Sequence, residues 1–150
     1  MKKIFTLNLG LFLSILLSAQ VQSPVDWTFS TKKINATTYE IYLTANLEPG
    51  WHVYSQSTPD GGPIPTTISF SKNPLVSLNG KVKELGKLEQ RFEELFGVDV
   101  KQFSDKVSFV QTIQLKGKVK TLLNGNVEFM TCNDRECMPP TTHKFSIALN

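Results

Sequence analysis

Cys132 and Cys137 are the only two cysteines of the 150-residue chain, and they lie together at residues 131–140 (TCNDRECMPP). Two sulfurs separated by four residues can do three kinds of work. Joined as a disulfide they close a loop of only six residues, and the chain-entropy gain for so short a loop is roughly 2 kcal/mol, a minor staple. Held at a strand-to-loop junction, they can exchange with a partner thiol and then reclose. Alternatively Met130, Cys132, Cys137 and Met138 place four soft sulfur ligands within nine residues, a set suited to Cu(I), with His52 and His143 as additional candidates. Zinc would need four Cys/His ligands at tighter spacing. The spacing alone leaves all three readings open.

The flanks bear on the choice. Pro139 and Pro140 stiffen the exit from the loop, since proline fixes its own φ and restricts the residue before it. Asn133, Asp134, Arg135 and Glu136 are all polar, so the pair is expected near the surface. Arg135 favours a thiolate while Asp134 and Glu136 oppose it.

The elements that must position this stretch read as β. Tyr39, Ile41, Leu43 and Ala45 alternate with polar neighbours, the period of a half-buried strand. Residues 51–55 (WHVYS) and 66–70 (TTISF) read as further strands, separated by a Pro/Gly-rich loop at 56–65. Residues 75–78 read as a short strand closed by a hairpin at Asn79-Gly80. Val107, Phe109, Ile113 and Leu115 share one face of an extended run, with Gln111 as its polar exception. Asn124-Gly125 marks another turn. Val127, Phe129 and Thr131 lead directly into Cys132, and Phe145, Ile147 and Leu149 form a last strand. Many short strands with frequent turns indicate an antiparallel β-sandwich. One segment dissents: Leu88, Phe92, Leu95 and Phe96 follow a helical period, so residues 87–96 read as a short helix or as an irregular covering loop.

Residues 1–20 read as a signal peptide. Lys2 and Lys3 precede the uncharged run 4–17, and Ser18 and Ala19 follow. The run is shorter than the ~20 residues of a spanning helix, and no cysteine stands near the cleavage point for a lipid anchor. Residues 21–150 then form one exported domain with no further membrane span. Without Lys2 and Lys3, 14 basic residues face 13 acidic ones, which gives no reason to expect a nucleic-acid partner. No Ser/His/Asp arrangement or phosphate-cradling glycine loop is present. Export to an oxidising compartment permits a disulfide.

Three stretches together resemble the amino-terminal periplasmic domain of DsbD, the thiol:disulfide interchange protein or protein-disulfide reductase. They are residues 50–54 (GWHVY), 93–97 (EELFG) and 132–140 (CNDRECMPP), in the family's order and at similar distances. The resemblance implies an all-β, immunoglobulin-like antiparallel sandwich with a cap loop over a dithiol/disulfide site. It implies a periplasmic or secreted protein-disulfide reductase component, working without a cofactor. Its partners would be thioredoxin-like redox proteins, including those of cytochrome c maturation, and a separate membrane thiol reductase. Carried over by position, Cys137 forms the mixed disulfide and Cys132 resolves it. Glu93, Glu94, Leu95, Phe96 and Gly97 match the family's cap, with Leu95 and Phe96 as its apolar lid. Tyr54 and His52 border the site, His52 standing where the family strand often has tyrosine. By their own context His52 is an exposed strand residue, with proton transfer to the thiols as its alternative role, Glu93 and Glu94 a solvated edge of the lid, and His143 an outward residue. The gap of four residues between the cysteines departs from the five of well-known members. The chain carries no transmembrane segment or thioredoxin-like module after the domain, so the electron donor is expected to be a separate protein.

Overall fold

The computed structural model describes residues 23–150; the signal-peptide reading of residues 1–20 lies outside them. Nine strands follow in order: β1 Val25–Lys33, β2 Thr38–Leu47, β3 His52–Tyr54, β4 Thr67–Phe70, β5 Val76–Glu93, β6 Val98–Leu115, β7 Thr121–Phe129, β8 Thr131–Cys132 and β9 Thr141–Leu149. No helix occurs among the described residues. All pairings are antiparallel. The larger sheet runs β1-β2-β6-β3-β8, with β5 on the other edge of β6. The smaller sheet is β4-β7-β9.

Alternation builds the core. Tyr39, Ile41, Leu43 and Ala45 of β2 and Val107, Phe109, Ile113 and Leu115 of β6 point inward from the larger sheet. Leu123, Val127 and Phe129 of β7 and Phe145, Ile147 and Leu149 of β9 meet them from the smaller one. Trp27 lies between, with ring centroids 5.9 Å from Phe109 and 5.2 Å from Phe129. This is the expected immunoglobulin-like sandwich, two sheets burying one apolar layer.

Two turn signals are not turns. At Asn79-Gly80 the chain forms a bulge inside β5, where the register shifts between Asn79 and Lys83. The bulge carbonyls explain the polar exception of β6. Buried Gln111 donates Nε2–H to Asn79 O at 3.0 Å and to Thr112 O at 2.7 Å, so its amide is not left unpaired. At Asn124-Gly125, β7 runs straight through. A Cβ on Gly125 would lie 2.4 Å from both Phe145 Cζ and Ser69 O, so the glycine is there to seat the Phe145 ring.

The dissenting segment is not a helix either. Leu88 and Phe92 lie in β5, which continues to Glu93. A spacing of four satisfies period 2 as well as period 3.6, so it does not separate strand from helix. Residues 94–97 form the turn into β6, and Glu93 O accepts from Phe96 N at 3.2 Å and Gly97 N at 2.8 Å. Gly97 has φ 70°, the left-handed conformation that closes such a turn at low cost.

Candidate functional site

The site grows from β3. This three-residue strand lies between β6 and β8, with His52 opposite both Ser104 and Cys132, and Tyr54 opposite Gln102. Val53 points into the main core. His52 and Tyr54 therefore point to the other face, the face that Cys132 shares. There the β5–β6 hairpin tip covers them. Tyr54, Val100 and Cys132 form a second buried cluster, against which Phe96, Val98, Met130 and Cys137 pack.

The cysteines form a disulfide, with Cα atoms 4.0 Å apart. Cys132 and Cys137 face each other across a tight hairpin, closed by Asn133 N to Glu136 O at 2.9 Å and Met138 N to Thr131 O at 2.8 Å. Both hydrogen bonds flank the cysteine pair, the non-hydrogen-bonded position where opposite side chains approach most closely. Asn133 Oδ1 accepts from Arg135 N at 2.8 Å and Glu136 N at 2.9 Å and so organises the four-residue loop. The short gap between the cysteines is thus a self-contained turn.

The two sulfurs have unequal surroundings. Cys132 is 0% exposed, whereas Cys137 is only partly buried at the rim. The expectation that the pair lies near the surface holds for Cys137 and not for Cys132, because β8 is paired with β3 and roofed by the hairpin tip.

The roof differs from the sequence reading. Phe96 packs on the cluster, while Leu95 stands 50% exposed and Glu94 is exposed. His52 is buried, not exposed, at 2% accessibility, because β3 is covered on both faces. Glu93 is buried at 3%, not part of a solvated edge. These two meet at Tyr54. Tyr54 Oη donates to Glu93 Oε2 at 3.1 Å, and His52 Nε2 lies 3.0 Å from Tyr54 Oη and 3.3 Å from Glu93 Oε2. A proton on Nε2 satisfies both oxygens and leaves Nδ1 as the basic nitrogen. Burial holds the His52 pKa below its ordinary value, with Glu93 opposing the shift. Burial, and then the Glu93 charge, push the Tyr54 hydroxyl far above its usual range. Glu93 is the cap residue whose burial sequence reasoning misjudged. The usable signal was its place at the strand end of EELFG, where period 2 turns it to the covered face.

Arg91 Nη2 reaches Asp134 Oδ1 at 3.1 Å and ties the roof to the cysteine loop. Shallow recesses flank this bridge. One, about 260 Å³, is lined by Arg91, Glu93, Glu94, Leu95 and Asp134. Another, about 390 Å³, is lined by residues including Gly50, Trp51 and Arg135. A roomier groove of about 630 Å³ beside Gln56, Phe70 and Gln111 contains neither cysteine. His143 lies elsewhere, its ring 5.7 Å from that of Phe129 in the smaller sheet. For the copper alternative, Met130 packs in the apolar cluster and the disulfide leaves neither thiolate free. No group of three or more His, Cys, Asp or Glu suited to a metal occurs among the described residues.

The family model described as "Thiol:disulfide interchange protein DsbD, N-terminal" matches residues 19–149. The chain belongs to the DsbD N-terminal family. Two solved structures share the DsbD N-terminal fold with it. The N-terminal periplasmic domain of ScsB from Proteus mirabilis is 20% identical with a TM-score of 0.56, covering 81% of this chain and 44% of that one. The Neisseria meningitidis DsbD N-terminal domain in its reduced form is 15% identical with a TM-score of 0.51, covering 77% and 86%. This chain thus spans less than half of the ScsB chain. No curated protein matches it.

Proposed function

We propose that this domain is an exported thiol:disulfide exchange module, a protein-disulfide reductase component that passes electrons between thioredoxin-like proteins through Cys132 and Cys137. In the reduced state the Cys137 thiolate attacks a substrate disulfide, forms a mixed disulfide and releases one substrate thiolate. Cys132 then attacks Cys137 Sγ and expels the second. The substrate gains two electrons and the Cys132–Cys137 bond re-forms. Recharging runs the same steps backwards from a thioredoxin-like donor, itself supplied by a membrane thiol reductase.

The observation that carries this reading is the unequal burial of the sulfurs, Cys132 sealed and Cys137 at the rim. A partner can reach Cys137, and the displaced sulfur stays inside, next to the bond it must re-form. Phe96 acts as the lid that a docking partner displaces. Cys132→Ser is expected to accumulate a mixed disulfide through Cys137 with a thioredoxin-like protein in a periplasmic extract. Absence of any adduct, with Cys137→Ser behaving identically, sinks the proposal.

A further inference from the structure

We infer that His52, held by Tyr54 and Glu93, is the proton-holding residue for the buried sulfur of Cys132 during exchange. This deepens the exchange role proposed above and rests on it. His52 is the direct cross-strand neighbour of Cys132 on the covered face. A neutral residue would suffice to fill that position. Instead the chain buries an imidazole there at 2% accessibility and braces it with a buried carboxylate 3.3 Å away.

The chemistry explains why a basic nitrogen belongs there. An incoming thiolate forms a bond to Cys137 Sγ, the Cys132–Cys137 bond breaks, and its electron pair remains on Cys132 Sγ. That sulfur is sealed from water, where an uncompensated thiolate is costly. One proton from solvent settles on the Cys132–His52 pair, as thiol beside imidazole or as thiolate beside imidazolium. When Cys132 later attacks Cys137, the same proton leaves. The pair titrates as a unit.

The surrounding charges set the balance. Glu93 on β5 favours imidazolium, and Asp134 in the cysteine loop adds to it more weakly. Arg91 on β5 opposes both. Tyr54 on β3 stays neutral and bridges His52 to Glu93. Glu89, the remaining acid on this side of β5, is engaged by Lys87 and Ser104. Without a charge at Glu93, His52 would be a poorer proton store.

The test reduces the disulfide with dithiothreitol between pH 5 and 8, dividing the rate by the fraction of reagent present as thiolate. In the wild type the corrected rate constant is expected to rise about tenfold on acidification. In His52→Gln it is expected to stay flat, and in Glu93→Gln the rise is expected to move to lower pH. A His52→Gln profile parallel to that of the wild type overturns the inference. A second measurement needs no variant. In the reduced wild type the His52 ring-carbon resonances are expected to titrate in two steps, the second shared with the Cys132 thiol, and in the oxidised protein in one. A single step at the same pH in both redox states overturns it too. Dithiothreitol replaces the partner, so failure to capture a thioredoxin-like protein bears on the relay alone, while a His52-independent profile bears on this inference alone.

Discussion

His52 and Tyr54 make the folded state sensitive to pH at both ends of the scale, and for opposite reasons. Burial lowers the folded pKa of His52 below its ordinary 6.5, so as pH falls below about 6.5 the unfolded chain takes up a proton that the folded protein resists. Stability present above that pH is lost on acidification through the interval between the two values. Tyr54 behaves in mirror image. Its folded pKa lies above the ordinary 10.0, so the unfolded chain releases a proton first and stability falls as pH rises past about 10. Urea midpoints measured from pH 5 to 11 are expected to fall at both ends. Tyr54→Phe is expected to flatten the alkaline limb, at the cost of two buried partners, His52 and Glu93, losing a hydrogen bond. An alkaline limb unchanged in Tyr54→Phe would remove Tyr54 as its cause. Legibility at this scale was uneven. Cys132 and Cys137 stood out by type and spacing, and the family likeness added Tyr54 and His52. Local alternation sets which face Glu93 and His52 take, but that this face is buried was not legible, because it depends on a hairpin tip folding over β3, a long-range event.

Among the elements, the β5–β6 hairpin tip is the part proposed to open when a partner docks. Its closure rests on half-buried Phe96, the exposed Arg91–Asp134 pair and the buried Glu93 contacts. An exposed ion pair contributes at most ~1 kcal/mol. Phe96 contributes about half the 1.5–3 kcal/mol of a fully buried large side chain, above the usual value of such a pair. Phe96→Ala is therefore expected to raise the dithiothreitol reduction rate about four- to tenfold, since 1.4 kcal/mol is a factor of ten. Arg91→Ala is expected to change it only a few-fold. Equal rates in Phe96→Ala and wild type would show that the tip is no barrier. Glycine tells a second story at this scale. Gly125→Val is expected to cost at least 1–3 kcal/mol in urea unfolding, because its side chain would enter the Phe145 ring and the β4 backbone. An unchanged midpoint would count against that packing. Asn-Gly at 124–125 and at 79–80 resembles a hairpin signal in sequence. Neither forms one, because tertiary contacts at Phe145 and Gln111 claim those backbone positions first. The strands with clean alternation in β2, β6, β7 and β9 were legible, since one face of each meets the same core.

For the whole molecule, the disulfide and the fold are linked by a thermodynamic cycle. Whatever the bond adds to folding stability, the fold adds to the bond's resistance to reduction. A disulfide meant to cycle must therefore contribute little to folding, and one that holds the fold together is correspondingly hard to reduce. Here the bond spans a sequence separation of 5 and closes a loop already organised by Asn133 and by two backbone hydrogen bonds. The entropic gain for that loop is about 2 kcal/mol. At 30 mV per 1.4 kcal/mol, the fold makes the pair only about 40 mV more reducing than the same cysteines in the unfolded chain. The sandwich core between β2, β6, β7 and β9 contains neither cysteine. Reduction is therefore expected to lower the urea midpoint by about 1 M, for a denaturant slope near 2 kcal/mol per M, without changing that slope. The Cys132→Ser/Cys137→Ser double variant is expected to match the reduced protein. A reduced protein that unfolds, or that loses 5 kcal/mol or more, would make the bond a structural one. The thermodynamic basis for a relay through Cys137 would then be gone.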